Sequence, residues 1–517
     1  MKALAAIFTA LALAFAAIYL LQRDPASVPG REPLIVYCAA GLKKPVEAIA
    51  EQYRRETGVE VQLQFGGTGS LLSAIRVARR GDLFIAADDG ALADARKADA
   101  IRESIPLVRQ HPVIAVRAGN PKSIRALGDL LRADVRVALT NPEATSIGRV
   151  TKAALGTGYD VLAAHATVMK PTVTDIASDL TLGAVDAAIV WDATVPQFVG
   201  LAAVEVPELS ARIENATAAV LASCTQSAGA LRFARYLAAP EKGGVIFQKQ
   251  GFQLAGGDRW ADRPVLTLYS GGVNRPAIEL LLREFSDREG AEITTVFNGC
   301  GVLCATMKTM GDASAPNFPD AYYACDLCFV PPVAEYFPEA VLLTETEIGI
   351  VVRAGNPRNV RTLAELAQPG LRVGLCNAEQ ATLGYMTQGM LRSVGLLDTV
   401  RKNVVVEVPT ADFLITQMRA GGLDAAIVYR VNAQTQTGHL DFIVIDHPGA
   451  KAVQPFALRA GSPQRQLAGR LLDYFKAHRG HFEAAGFRWR GDEPAIRSSK
   501  IEIPDWLRGP GPNNTAR

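Results

Sequence analysis

Three short turns in the first half of the sequence carry residues that could bind an anion. They are "YCAAGLKKP" (37–45), "FGGTGSLLS" (65–73) and "TNPEATSIG" (140–148), and each separates an apolar strand pattern from a helical pattern. Small residues there leave backbone N–H groups accessible at a helix start, where the helix dipole favours negative charge. One such turn is ordinary helix capping, but the set together predicts an anion crevice. The turns add four hydroxyl donors, on Thr68, Ser70, Thr145 and Ser146.

A cluster of cysteines distinguishes the second half of the chain. "FNGCGVLC" (297–304) and "YYACDLC" (322–328) place four thiols near one turn and the strand that follows it: Cys300, Cys304, Cys325 and Cys328. Such thiols hold zinc or an iron–sulfur cluster, form disulfides in an oxidising compartment, or stay free. Disulfides between the two segments fit better than disulfides within a strand, whose residues i and i+3 point to opposite faces. No other cofactor is predicted.

Catalytic patterns are absent from the sequence. It contains no Walker loop, no His-Glu-x-x-His and no nucleophile-elbow serine, and its six histidines have no informative spacing. Asp192, at the end of an apolar run, is kept as a candidate ligand-binding residue. The formal net charge is only +2, without basic stripes, which argues against a nucleic-acid partner. We therefore predict a binding protein rather than an enzyme.

The elements that must position these residues occur twice. "VRAGNP" stands at 116–121 and again at 352–357, and "GAVDAAIVWDA" (183–193) matches "GGLDAAIVYRV" (421–431). Matching blocks in one order at a nearly constant spacing indicate an internal duplication. In each copy short apolar runs alternate with helical patterns, which predicts a three-layer α/β fold with a mainly parallel sheet.

The N-terminus has a different composition. Residues 3–21 carry no charge and are long enough to cross a bilayer as a helix, so we expect an uncleaved anchor or a cleaved signal. In either case the rest of the chain is exported, to the periplasm or the extracytoplasmic face of the membrane. The predicted segments are an anchor or signal (1–22), a linker (23–32), the first copy (33–257), the second, Cys-rich copy (258–490) and a tail (491–517).

Each copy resembles the type II periplasmic substrate-binding proteins, most closely the molybdate/tungstate-binding branch (ModA-like) of ABC importers. In the first copy the resemblance rests on "VYCAAGLKKPVEAIAEQYRRETGVEVQLQFGGTGSLLSAI" (36–75), "GDLFIAADDGAL" (81–92), "TNPEATSIGRVTKAAL" (140–155) and "AAIVWDA" (187–193). It covers residues 34–255 and again 265–487. It implies two α/β lobes joined by a hinge, with an oxyanion held between them by hydroxyls and backbone N–H groups.

The resemblance also assigns ligand-binding positions. A serine of the family falls on Gly41 and on Val273, and its tyrosine falls on Trp191 and on Tyr429, so donors are missing from both copies. With the turn residues, the first-copy candidates are Gly41, Thr68, Gly69, Ser70, Ser146, Ile147, Ile176, Trp191 and Asp192. The second-copy candidates are Val273, Cys300, Gly301, Thr382, Leu383, Phe413 and Tyr429.

The resemblance implies a monomeric solute-binding protein that captures a small oxyanion and delivers it to an ABC permease. Two alternatives stay open at this point. One is a membrane-tethered sensor, in which lobe closure signals to a membrane partner. The other is a metal or iron–sulfur protein built on the cysteines of the second copy, where thiolates would favour a softer ligand than an oxyanion.

Overall fold

The computed structural model describes residues 32–315, 317–434, 438–505 and 507. The predicted anchor and nearly all of the predicted linker lie outside the described residues. Within the described ranges, no helix combines the length and the apolar character needed to cross a membrane. The chain divides into two compact units, Met1–Asp262 and Arg263–Arg517, a few residues beyond the predicted border between the copies.

The first unit alternates strands and helices, as its sequence pattern predicts. Its strands are Leu34–Ala39 (β1), Val61–Gly66 (β2), Leu83–Ala86 (β3), Ile101–Gln110 (β4), Pro112–Arg117 (β5), Val137–Thr140 (β6), Val168–Lys170 (β7), Ala187–Trp191 (β8), Leu201–Val204 (β9), Glu214–Leu221 (β10) and Gln253–Leu254 (β11). Its helices are Lys43–Thr57 (α1), Thr68–Ala78 (α2), Asp89–Lys97 (α3), Ser146–Leu155 (α4), Thr157–His165 (α5), Val173–Thr181 (α6), Pro207–Ser210 (α7), Ser227–Ala238 (α8) and Val245–Lys249 (α9).

These strands form two sheets, one in each lobe. The first lobe has the order β11-β4-β10-β3-β1-β2, and the second has β7-β6-β8-β5-β9. The expected mainly parallel sheet is wrong: β1 pairs in parallel with β2 and β3, but β10 is antiparallel to both β3 and β4. The reason is that β10 returns from the second lobe and enters the sheet from the opposite direction. The chain leaves the first lobe through β4 and β5, which are separated only by His111.

Both faces of the first-lobe sheet are buried, which produces three layers. Val36 and Cys38 of β1 contribute to one apolar cluster, whereas Tyr37 between them contributes to another on the opposite face. The same alternation continues in β3, where Leu83 faces the first cluster and Phe84 the second. Alternate strand residues point to opposite faces, so an uninterrupted apolar run is what a doubly covered sheet requires.

The second unit repeats the plan with one modification. Its strands are Val265–Gly271 (β12), Glu292–Asn298 (β13), Ala321–Tyr323 (β14), Glu339–Arg353 (β15), Val373–Cys376 (β16), Val404–Val408 (β17), Ala425–Tyr429 (β18), Leu440–Val444 (β19), Lys451–Leu458 (β20), Arg488–Trp489 (β21) and Ile496–Arg497 (β22). Its helices are Arg275–Glu289 (α10), Cys300–Met310 (α11), Thr382–Ser393 (α12), Leu397–Arg401 (α13), Ala411–Arg419 (α14), Arg430–Gln434 (α15), Arg465–Ala477 (α16) and Arg479–Ala484 (α17). Here β15 runs through both lobes, pairing first with β20 and then with β18 and β19.

Candidate functional site

A cleft with about 240 Å³ of empty space, part of it open to solvent, lies between the two lobes of the first copy. Five of the predicted ligand-binding residues line it: Gly41, Thr68, Ser146, Ile147 and Trp191. The sequence analysis had not selected Thr172 and Val173, which also line it. No side chain among the lining residues is ionisable, so polarity in this cleft comes from backbone groups and hydroxyls.

Two helix starts from the second lobe face this cleft. Thr145 caps α4 by accepting the Gly148 N–H at 3.1 Å, and Thr172 caps α6 by accepting the Asp175 N–H at 3.2 Å. The first backbone bond of α4 runs from the Arg149 N–H to the Thr145 carbonyl at 3.1 Å. The N–H groups of Ser146 and Ile147 therefore precede the hydrogen-bonded ladder and lie at the positive end of the helix dipole.

The first lobe contributes fewer donors than predicted. Gly69 and Ser70 do not line the cavity, because both backbone N–H groups donate to the carbonyl of Ala144 in the opposite lobe, at 3.0 and 3.3 Å. A Cβ atom on Gly69 would lie 2.4 Å from the Glu143 carbonyl oxygen, so only glycine permits this approach. The predicted second anion turn thus serves mainly as a contact between the lobes, with Thr68 alone at the cavity.

Two other first-copy candidates also lie away from this cavity. Ile176 is fully buried in the core of the second lobe rather than at the cavity. Asp192 lies at the lobe crossing, where it accepts the His111 backbone N–H at 3.0 Å. Burial raises the pKa of Asp192, although the contacts with His111 oppose this. Asp192 therefore lies at the lobe crossing and does not line this cavity.

An ionic contact joins the lobes beside the first cleft. Asp88, almost fully buried after β3, accepts a hydrogen bond from Ser146 Oγ and pairs with Arg149 Nη2 at 3.1 Å. Arg149 also reaches Asp94 at 2.8 Å. The Ser146 hydroxyl is thus directed to a carboxylate, and its backbone N–H is the donor that remains at the cleft. The Asp88 charge is balanced by Arg149 on the second lobe.

Gly41, where the resemblance places a serine, is closely packed. A Cβ atom on Gly41 would lie 3.2 Å from Val173 Cγ1 and 3.5 Å from Trp191 Cδ1. The larger indole and the valine therefore occupy the space beside this position. A side chain at this position would therefore pack directly against both residues.

The cleft of the second copy has a different lining. It has about 300 Å³ of empty space, part of it open to solvent, and the predicted Val273, Thr382, Leu383 and Tyr429 line it. Among the lining residues that the sequence analysis had not selected as ligand-binding are Cys325, Cys376, Thr410, Asp412 and Asn432. Asp412 stands at the second position of α14, where α6 of the first copy has Thr174. Burial raises the pKa of Asp412, while Arg275 and a 2.9 Å hydrogen bond from Asn432 act against that rise.

Three second-copy predictions do not line this cavity. Phe413 is 57% exposed, because α14 begins one residue later than the alignment assumed and Leu414 takes the buried place of Ile176. Gly301 faces the opposite lobe, where an added Cβ would lie 2.1 Å from the Glu379 carbonyl oxygen. Cys300 is fully buried behind the cavity wall.

The predicted metal site and disulfides are not found among the described residues. None of the seven cysteines forms a disulfide, and no three described His, Cys, Asp or Glu side chains are grouped so as to hold a metal ion. The four clustered thiols separate because Cys304 lies one helical turn beyond Cys300 and approaches the Phe329 carbonyl at 3.3 Å. Only Cys300 and Cys325 are in direct contact, with their sulfur atoms 2.8 Å apart.

Comparison with known proteins agrees with the duplicated fold. A family model described as bacterial extracellular solute-binding protein matches residues 34–253 and again residues 266–488. A putative binding protein of Haemophilus influenzae is 31% identical over 159 residues, 30% of this chain and 65% of that protein, just under two thirds of its length. The molybdate-binding protein ModA of Mycobacterium tuberculosis (strain H37Rv) is 27% identical over 246 residues, 45% of this chain and 90% of that protein.

Similar solved structures cover less than half of this chain. The periplasmic molybdate-binding protein of Azotobacter vinelandii is 19% identical with a TM-score of 0.36, covering 43% of this chain and 100% of that chain. Iron-bound HitA from Pseudomonas aeruginosa is 16% identical with a TM-score of 0.37, covering 44% of this chain and 88% of that chain. The family match to both copies confirms the resemblance predicted from the sequence.

Proposed function

The chain belongs to the bacterial extracellular solute-binding proteins, and on that premise we propose that its first copy captures a small oxyanion of the molybdate and tungstate class. The observation that carries the proposal is the lining of the first cleft, which offers N–H groups at helix starts and hydroxyls but no ionisable side chain. An oxyanion in such a site is held by dipoles instead of by a counter-charge. The molybdate-binding names of the relatives support the choice of anion.

Binding would use donors from both lobes. The backbone N–H groups of Ser146 and Ile147 approach from α4, and the Thr68 hydroxyl approaches from the start of α2. The contact between Gly69 and Ala144 then brings the lobes together around the anion and removes water from it. A hydrogen bond from a dry, preformed donor is worth more than one made in water, which offsets the desolvation of the anion.

The second cleft is the weaker candidate for an oxyanion. The Asp412 carboxylate lines it, and a like charge close to an anion disfavours binding. It retains other polar groups: Thr382 lines it, and within the described part of the chain no partner hydrogen bonds to the buried Tyr429 Oη. We assign the second cleft a ligand other than molybdate, tungstate or sulfate.

We further propose that the loaded protein acts outside the cytoplasm and delivers its ligand to the outer face of an ABC permease. The family relation supports an extracytoplasmic carrier. A monomer held at the membrane by residues 1–22 would keep the cargo near that permease, which raises its effective concentration. A proteoliposome uptake assay with the cognate permease would separate transport from sensing, since a sensor would not stimulate uptake.

The test of oxyanion binding uses one substitution with matched controls. Ser146 is the first residue of α4 and Thr145 before it has extended backbone angles, so Ser146→Pro removes one N–H at a position where proline suits a helix. We expect the affinity of the full chain for molybdate to fall about 10- to 100-fold, as for the loss of one buried donor. Calorimetric titration with molybdate, tungstate, sulfate and phosphate measures it.

The controls decide between the backbone donor, the hydroxyl and the second cleft. Ser146→Ala keeps the N–H and should retain most of the affinity that Ser146→Pro loses. Thr382→Pro makes the same change at the first residue of α12 and should leave molybdate affinity unchanged. A chain that binds none of the four anions, or one in which Thr382→Pro is the damaging change, would refute the proposal.

A further inference from the structure

A pair of thiols lies behind the wall of the second cleft. Cys300 is the first residue of α11, and Cys325 follows β14. Their sulfur atoms are 2.8 Å apart, and the Cys325 backbone N–H donates to Cys300 Sγ at 3.0 Å. Thr68 and Ala87 hold these positions in the first copy, so the pair is specific to the second.

The backbone around the pair makes room for it. A Cβ atom on Gly271, the last residue of β12, would lie 2.2 Å from Cys325 Sγ. The pairing of Ser270 with Tyr323 matches that of Cys38 with Ile85 in the first copy, where Ala39 therefore takes the place of Gly271. Glycine at position 271 thus leaves free the space that the Cys325 sulfur occupies.

The two thiols differ in protonation and in access. Burial by itself raises the pKa of Cys300, but hydrogen bonds with Cys325 and Tyr322 outweigh it and hold that pKa below its ordinary value. The helix start at Cys300 also favours a thiolate. The hydrogen bond to Cys300 raises the pKa of Cys325, which lines the cleft while Cys300 is fully enclosed.

We propose that Cys300 and Cys325 are a redox-active dithiol that closes into an intramolecular disulfide when a disulfide oxidant enters the second cleft. Cys325, at the cleft, reacts first: its sulfur bonds to one sulfur of R–S–S–R, and the other leaves as R–SH with the proton from Cys325. The Cys300 thiolate then attacks the Cys325 sulfur, and the second R–S group leaves as R–S⁻, which takes up a proton from water. Two protein thiols are oxidised and one small disulfide is reduced.

The neighbouring cysteines do not share this geometry. Burial raises the pKa of Cys304 to about 12, and burial beside Asp326 raises the pKa of Cys328 well above its ordinary value.

The location of the Cys300–Cys325 pair connects its oxidation to closure of the second cleft. Gly299 and Gly301, on either side of Cys300, lie against carbonyl oxygens of the opposite lobe. Drawing the Cys300 sulfur to covalent distance acts at the point where the second cleft closes.

The experiment maps the disulfide in the full-length native protein. The reduced chain is equilibrated with oxidised glutathione, quenched with acid, alkylated under denaturing conditions and digested. Cleavage before Asp326 separates Cys325 from Cys328, and cleavage after Leu303 separates Cys300 from Cys304. We expect two of the seven cysteines to resist alkylation, a linked peptide pair holding Cys300 and Cys325, and full recovery of alkylation after dithiothreitol.

Three outcomes are decisive. The link should form in Cys304→Ser and disappear in Cys325→Ser. If Cys325→Ser does not fold, the peptide map of the wild-type protein by itself still tests the proposal. Seven alkylated cysteines after prolonged exposure to oxidised glutathione would refute the proposal. A link through Cys304 or Cys328 would refute it equally, because the pairing would then follow unfolding and not the native geometry. The result is independent of whether the first copy binds molybdate.

Discussion

The two copies close their lobes with the same backbone contacts but with different side chains. In the first, the Asp88 carboxylate accepts hydrogen bonds from Ser146 and Arg149 of the opposite lobe. In the second, the matching Asp326 accepts N–H groups from Cys328 at 3.0 Å and Val453 at 2.9 Å instead. Tyr385 replaces Arg149 there, and its ring lies 6.0 Å from that of Phe329 in an edge-on arrangement.

The glycines next to the helix starts did not change with the side chains. Added Cβ atoms on Gly67 and Gly299 would lie 2.4 and 2.2 Å from carbonyl oxygens of the opposite lobe, and Gly69 and Gly301 behave alike. The backbone approach between lobes is thus common to both copies. The ionic pair, the carboxylate Asp412 and the thiols differ, which indicates that closure is shared and that ligand chemistry has diverged.

The largest expected effect comes from blocking that shared approach in one copy at a time. Gly69→Ala places a methyl group 2.4 Å from the Glu143 carbonyl oxygen, so the first copy should remain open and lose measurable molybdate binding. The residue is helical, and alanine favours a helix over glycine by about 1 kcal/mol, so the melting temperature without ligand should not fall. Calorimetry and thermal melts measure the two quantities.

Gly301→Ala is the matched control for this prediction. It creates the same clash in the second copy, at 2.1 Å from the Glu379 carbonyl oxygen, and should leave molybdate affinity intact. Equal losses in the two variants would mean that both clefts bind the anion. Normal binding by Gly69→Ala would mean that closure at this contact is unnecessary.

Exchanging charge between the clefts should have the next largest effect. Thr174→Asp brings to the first cleft the carboxylate that the second carries as Asp412. Repulsion of an anion by a nearby, poorly solvated charge costs several kcal/mol, so molybdate affinity should fall at least about 100-fold. Thr174→Asn, similar in size and neutral, should cost much less. A similar loss for both variants in a titration would assign the effect to shape and not to charge.

The fold follows from local patterns to a large extent. Uninterrupted apolar runs such as β1, β3 and β8 were predicted as strands, and the helical spacing from Lys43 onward produced α1. The strands β4 and β10 were missed because β4 carries charged residues, as in "IRESIPLVRQ". These are the strands next to the lobe crossings, so missing them also led to the wrong expectation of a mainly parallel sheet.

The lining of the first cleft was predictable only where it is local. Ser146 and Ile147 were selected because a helix start is visible in the sequence, and both line the cleft. Gly69 was misassigned because the carbonyl that takes its N–H comes from the opposite lobe, which no local pattern shows. Thr172 could have been found, since Thr172 and Asp175 have the spacing of a capping box at the start of α6.

Removing the ionic contact between the lobes of the first copy should have a moderate effect. Arg149→Met keeps the apolar stem but leaves Asp88 buried without its cation. Because Arg149 is 32% exposed, solvent screens the pair, and we expect a loss of about 1–2 kcal/mol in the free energy of unfolding together with weaker molybdate binding. Urea denaturation measures the free energy of unfolding, and calorimetric titration measures molybdate binding. Arg132→Met, which removes exposed pairs with Asp129 and Asp134, should cost less than about 0.5 kcal/mol.

The smallest expected effect tests the missing tyrosine hydroxyl. Trp191→Tyr places in the first cleft the residue that the second has as Tyr429, and it relieves the crowding beside Gly41. One additional donor to the anion is worth about 1 kcal/mol, so molybdate should bind roughly 5-fold more tightly. Trp191→Phe supplies the ring without the hydroxyl and separates hydrogen bonding from the change in volume. Tighter binding by Trp191→Phe as well would show that the indole restricts the cavity by its size, and that the two clefts differ here in shape and not in their donors.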